Sequence, residues 1–320
     1  MQKHMVFFLG LITAVSSLWT TSAFATQTLR ADESLTPAAG FHTYDGRIGH
    51  PLQSTSKAAE SSNGTGTFNT LSLWGGYIGA QPGHTETLAF GYFYIPAVTC
   101  NSTNNLFAPW VGLDGGLYPG GGGTNNYVEQ TGVAISCATG QPSYQGWYEM
   151  YPLNPVYIST VSYPIHPGDV IGALVQNNGG GSYTLQLCDF GANGWTRVGA
   201  SQAQWCFSTT QTGGWSGASL SGEAVVESPT HSYPNFGTVT FENLGGTTQP
   251  SNCVNLFYTG TGTGNNQACA AGTTAPTLVA YDAGSGSITE TTTSALSYLP
   301  PNSPGWIANN ITFKETFVHP

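Results

Sequence analysis

Gln130 and a small group of glutamates are the residues whose types and spacing suit chemistry. A carboxylate takes a proton from water as a general base and later returns it to a leaving group. A neutral amide donates a hydrogen bond to the oxyanion that develops on an attacked carbonyl, and it does so at any pH. The candidates lie in Trp110-Val-Gly-Leu-Asp-Gly115, in Glu129-Gln-Thr-Gly-Val133 with Gln145-Gly-Trp-Tyr-Glu-Met-Tyr151, and in Gly222-Glu-Ala-Val-Val-Glu227. Side chains alternate between the faces of a strand, so residues two and four apart share a side. This predicts shared faces for Trp110 with Asp114, for Trp147 with Glu149 and Tyr151, and for Glu223 with Glu227. Gln130 is expected to point the same way as Gly132 and Ala134, with space cleared beside it. Charged residues are only 7% of the chain, so carboxylates and a glutamine set among tryptophans stand apart from a solvated surface. Spacing alone does not choose Glu227 over Glu149 or Glu223 as the partner of Gln130.

The elements that must position these groups read as β-strands. From Phe68 to about Phe241, short aromatic and β-branched runs are separated by Gly, Pro and Asn. Examples are Thr87 to Ile95, Val156 to Tyr163, Asp169 to Gln176, Ser182 to Leu187 and Gly237 to Phe241. His166-Pro-Gly-Asp169 is a turn signal, and the Gly-rich stretch 177–182 is a hairpin loop. Many short strands at regular spacing predict an all-β fold, a sandwich of two antiparallel sheets.

The chain has 320 residues, six Lys plus Arg against sixteen Asp plus Glu, and a formal net charge of −10. Sparse, scattered basic residues exclude nucleic acid as an expected partner, because phosphate binding needs clustered Lys and Arg. The same scarcity means that little positive charge builds up in acid, so tolerance of low pH is expected. Residues 1–25 read as an export signal: Lys3 at the start, an apolar run from Met5 to about Leu18, and Ser22-Ala-Phe-Ala25 as the cleavage pattern. Nothing later is long and apolar enough to span a bilayer. An exported, soluble monomer is expected.

Residues 26–65 hold Arg30, Arg47 and Lys57 and read as a leader or propeptide, a basic segment suited to masking an acidic site. The sandwich is expected over residues 66–244. Residues 245–320 form a Thr/Ser/Gly-rich β extension that completes the sandwich or is appended to it, with strands at Thr277 to Tyr281 and Ile311 to Val318. Six cysteines suit disulfides in an oxidising compartment. Cys188 with Cys206 and Cys253 with Cys269 would each close a short loop, which leaves Cys100 with Cys137; six cysteines allow about fifteen pairings. No Cys-x-x-C or His/Cys cluster suggests a metal, and no cofactor is implied. His84, His166 and His231 sit at turns or in polar loops.

The segments Trp74-Gly-Gly-Tyr77, Trp110-Val-Gly-Leu-Asp-Gly115, Gln130-Thr-Gly-Val133, Trp147-Tyr-Glu-Met-Tyr-Pro152 and Glu223-Ala-Val-Val-Glu227, in that order, resemble the glutamic peptidases, the eqolisin family of secreted, acid-active endopeptidases. The resemblance covers about residues 68–241. It implies a lectin-like (concanavalin A) antiparallel sandwich with a groove on the concave face of one sheet. It further implies that Gln130 and Glu227 are the catalytic pair, acting on polypeptide substrates without a metal. Trp110, Asp114, Trp147, Glu149, Tyr151 and Glu223 match family positions that line the groove or support the pair. Ala134, Gln145, Ala224 and Ser228 stand where the family often has other residues, mostly acids, so fewer carboxylates support the pair. The rival reading from another class is a carbohydrate-binding or glycan-hydrolysing sandwich, in which Glu149 and Glu227 would form a carboxylate pair.

Overall fold

A computed structural model describes residues 65–80, 85–115, 127–192, 203–212, 219–249, 277–285, 288–298 and 311–318. The strands are β1 (Thr65–Ser72), β2 (Trp74–Ala80), β3 (Thr85–Tyr94), β4 (Leu106–Leu113), β5 (Val128–Ser136) and β6 (Ser143–Tyr151). Next come β7 (Val156–Tyr157), β8 (Val170–Gly179), β9 (Ser182–Asp189), β10 (Trp205–Thr212), β11 (Gly222–Glu227) and β12 (Thr238–Gln249). The last are β13 (Thr277–Ser285), β14 (Ile288–Thr289), β15 (Thr291–Thr293), β16 (Ser297–Tyr298) and β17 (Ile311–Phe317). No helix occurs among the described residues, so none there is long and apolar enough to cross a membrane.

Two sheets result. One runs β1-β13-β2-β11-β4-β5-β6-β7, with β14 on β13; the other runs β10-β9-β8-β3-β12-β17-β15, with β16 on β17. Every pairing is antiparallel except that of β1 with β13. The core between the sheets is filled by one alternation set from each strand. The first sheet gives Tyr77, Val111, Leu113, Val133, Tyr148 and Val226; the second gives Phe93, Leu185, Phe207, Phe241 and Phe313. Phe241 stacks on Phe313 with centroids 4.8 Å apart, and Tyr148 stacks on Phe207 across the gap. Cutting such a buried ring to alanine costs about 3–5 kcal/mol.

The hairpin at 177–182 forms between β8 and β9, with positive φ at Gly179, Gly180 and Gly181. Asp169 N bonds His166 O at 3.1 Å and so closes the expected turn. The run from Val156 to Tyr163 differs from expectation. It is a strand only at Val156–Tyr157, after which Tyr163 N bonds Ser159 O in a turn and Val161 lies exposed. Two disulfides are present, Cys100–Cys137 and Cys188–Cys206, the second between directly paired positions of β9 and β10. Cys253 and Cys269 lie outside the described residues, as do the proposed signal, most of the leader and His84.

Candidate active site

The face of the first sheet turned away from the second carries the site. Register sets it out in rows. Ile78, Glu223, Gly112, Gln130 and Glu149 are consecutive neighbours across β2, β11, β4, β5 and β6. The next row on that face holds Gly76, Val225, Trp110, Gly132, Trp147 and Tyr157. The one beyond holds Trp74, Glu227 and Ala108. All the expected face-sharing residues on β5, β6 and β11 therefore occupy one side. Their apolar members, Trp74, Ile78, Ala108, Trp110, Ala134, Trp147 and Val225, form a cluster separate from the core between the sheets.

Gln130 and Glu227 share this face without sharing a row. Gln130 stands beside Glu149, and its Nε2 donates to Glu149 Oε2 at 2.8 Å. Glu227 stands two rows along, and its Oε2 accepts from Trp110 Nε1 at 3.2 Å. Trp110 lies between them and packs edge-on against Trp74 with centroids 4.9 Å apart. Gln130, Glu223, Glu227, Trp110 and Trp147 are fully buried, and Glu149 is nearly so. Tyr151 is partly exposed at the end of β6.

Two expectations change. The space beside Gln130 does not lie at Gly132, where an added Cβ would stand 2.5 Å from Trp110 Cβ. Trp110 fills that glycine's place from the neighbouring strand. Gly112, between Gln130 and Glu223 in Gln130's own row, is covered by the same ring, where an added Cβ would stand 2.7 Å from Trp110 Cζ3. Asp114 does not continue Trp110's alternation either. β4 ends at Leu113, and Asp114 turns with φ 69°. Its carboxylate accepts Ser219 N at 2.7 Å and Leu220 N at 2.6 Å, so it grips the loop that leads into β11.

Burial pushes the Glu223 carboxyl well above the usual carboxylate range. A hydrogen bond from Ser221 opposes this, while the charges of Asp114, Glu129 and Glu86 add to it. Glu129 is raised likewise, first by burial and then by Asp114. Sequence reasoning gave Glu129 no role. Its signal was an acid on the inward-facing alternation of β5, among Thr131, Val133 and Ile135. No group of three or more His, Cys, Asp or Glu suited to a metal occurs among the described residues. His166 and His231 are exposed.

An uncharged amide, several buried carboxyls and tryptophans on one sheet face are a set fitted to acid–base hydrolysis without a covalent nucleophile. The family model described as the Peptidase A4 family matches residues 72–277. The chain belongs to the Peptidase A4 family. That family comprises glutamic peptidases, hydrolases that cut within polypeptide chains, and this chain is an enzyme of that kind. It is 26% identical over 220 residues to Aspergillopepsin-2 of Aspergillus niger, across 60% of this chain and 72% of that protein. The fold is similar to the crystal structure of scytalido-glutamic peptidase with a transition state analogue inhibitor, with a TM-score of 0.50 and 17% identity, across 77% of this chain and 98% of that one.

Proposed function

We propose that this chain is an exported endopeptidase active in acid, with Gln130 as oxyanion donor and Glu227 as the base that activates water. Glu227 takes a proton as the hydroxide attacks the scissile carbonyl. The Gln130 amide steadies the oxyanion, and protonated Glu227 gives its proton to the departing amine. Glu149 holds the amide in place by its 2.8 Å bond, and Trp110 holds the base.

The observation that carries this reading is the diagonal placement of the two groups on one face. In an ideal sheet, two strands over is roughly 10 Å and four residues along roughly 13 Å, a Cα separation of about 16 Å. Trp110 stands on that diagonal, its Nε1 on Glu227 and its ring over Gly112 in Gln130's row, so one side chain links the two groups.

Glu223 is the second candidate for the base, favoured by its place in Gln130's own row across Gly112. There Gly112 and the Trp110 ring stand between the two side chains. A digest of denatured haemoglobin at pH 3–5 separates the two. Gln130→Ala and Glu227→Gln are expected to lose at least about a thousandfold in kcat. Glu223→Gln is expected to retain far more. The reverse ranking of the two glutamates assigns the base to Glu223, and cleavage unaffected by any of the three sinks the reading. A glycan-binding screen of the same protein tests the carbohydrate rival.

The acidic, nearly cation-free composition, with six Lys plus Arg, supports work at low pH. Residues 1–25 as an export signal and 26–65 as a leader complete the proposal, and N-terminal sequencing of the exported protein checks both.

A further inference from the structure

Glu129 precedes Gln130, and its side chain enters the opposite face of β5, between the sheets. It is fully buried. Among the described residues, both of its carboxyl oxygens are buried without an N–H or O–H donor in hydrogen-bond range, and the Asp114 carboxyl, on the residue after its register partner Leu113, lies beside it. Asp114 already receives two short backbone N–H bonds, from Ser219 and Leu220. A carboxyl that accepts two such bonds is the one that holds negative charge. Two buried carboxyls in contact cannot both be ionised, so the proton belongs to the partner, Glu129.

We propose that protonated Glu129 donates a hydrogen bond to the Asp114 carboxylate, and that this acid pair is a clamp fastening the strand of Gln130 to the loop that launches the strand of Glu227. Glu129 is a positioning residue; it touches neither substrate nor reacting atoms. The clamp has further members. Ser219 is held by Tyr183 OH at 3.1 Å and by Asn177 Nδ2 at 2.8 Å, both to its hydroxyl, and its carbonyl accepts Glu86 N. The pair thus ties β4, β5 and the start of β11 to β8, β9 and β3 of the other sheet. The titratable groups that feel its charge are Tyr183 on the same side and Glu223 across the sheet; neither is a cation. Lys314 is the one Lys or Arg among the described residues, and it is exposed. Ionising Glu129 therefore places a second negative charge beside Asp114 with nothing to balance it, and the clamp opens as pH rises.

The inference rests on Gln130 and Glu227 as the working pair, and its test separates the two ideas. Glu129→Gln keeps the shape and offers Asp114 an N–H that does not titrate. It is expected to match the wild-type kcat and KM in acid within about twofold, and to carry the alkaline edges of kcat and of the melting temperature upward by about one pH unit or more. Glu129→Leu, with no donor, is expected to lose about tenfold or more in kcat with KM within about twofold. An unchanged alkaline edge in the Gln variant, or full kcat in the Leu variant, overturns the clamp. The wild type supplies a reading independent of any variant, the NMR titration of the Glu129 side-chain carboxyl carbon. A midpoint well above those of surface glutamates is expected, and an ordinary midpoint overturns the pair. A wild type without peptidase activity counts against Gln130 and Glu227, while the melting and NMR readings still judge the clamp.

Discussion

Trp110 serves two purposes at the heart of the site. Its ring packs against Trp74 and covers Gly132, while its Nε1 holds Glu227. Trp110→Phe keeps most of the packing and removes the hydrogen bond. A bond to a charged group is worth about 1.5–3 kcal/mol of stability, so the melting temperature is expected to fall by several degrees, and kcat to fall roughly tenfold or more as Glu227 loses its anchor. Gly112→Ala tests the close packing in the neighbouring row. Its Cβ would stand 2.7 Å from Trp110 Cζ3 and 3.2 Å from Gln130 Cβ. Displacement of the amide is expected to lower kcat at least about tenfold, read in the same digest, with circular dichroism unchanged. At this scale alternation was legible in the sequence: it put Glu149 with Trp147 and Glu223 with Glu227. Asp114 was misplaced because alternation ends where a strand ends, and the Asp114-Gly115 pair that marks the left-handed turn there was read as strand. Glu129 was overlooked because its partner sits in the turn after another strand, and the pair lies on the side of β5 away from Gln130.

Among the elements, β17 carries the most testable chemistry. Glu315 is fully buried and accepts Thr291 Oγ1 at 2.6 Å and Thr293 Oγ1 at 2.7 Å. Burial pushes its carboxyl up to about 8, against the pull of those two bonds. The folded state thus holds a proton that the unfolded chain releases near 4.5. Stability from this group is complete below the unfolded value and is lost as pH rises from about 4.5 to about 8, by several kcal/mol in order of magnitude. Glu315→Gln is expected to flatten that loss, measured as urea midpoints at pH 5 and pH 8. Equal slopes for both proteins would refute it. The pairing of β9 with β10 offers a second check, since Cys188→Ser with Cys206→Ser removes a bridge worth about 2–4 kcal/mol and lowers the melting temperature. Strand existence was legible from aromatic and β-branched runs. Register was not: the row through Glu223, Gly112 and Gln130 needs β11 inserted between β2 and β4, and no local pattern encodes a pairing of segments so far apart in the chain. The run at Val156 failed because β-branched residues there serve a turn whose Tyr163 side chain packs on Trp205 and Phe207.

For the molecule as a whole, buried carboxyls set the response to pH. Glu129, Glu223, Glu242, Asp282 and Glu315 are all raised, each first by burial. Every one stabilises the fold while protonated and withdraws that support as it ionises. The melting temperature is therefore expected to be higher at pH 4–5 than at pH 8, and scanning calorimetry across that range decides it; a maximum at neutral or alkaline pH would contradict the sum of these groups. The sandwich was legible from punctuation and periodicity. The destiny of the C-terminal segment was not, because a short strand rich in Thr and Gly reads the same at an edge as inside a sheet.

Strand β13, from near the end of the chain, lies between β2 and β1, and among the described residues β1 has no other neighbour. Strand β1, made early, therefore lacks its neighbour among the described strands until residues 277–285 have been synthesised and have joined β2. Assembly at that edge runs against the order of synthesis, and a chain truncated before β13 leaves β1 without the strand it pairs with.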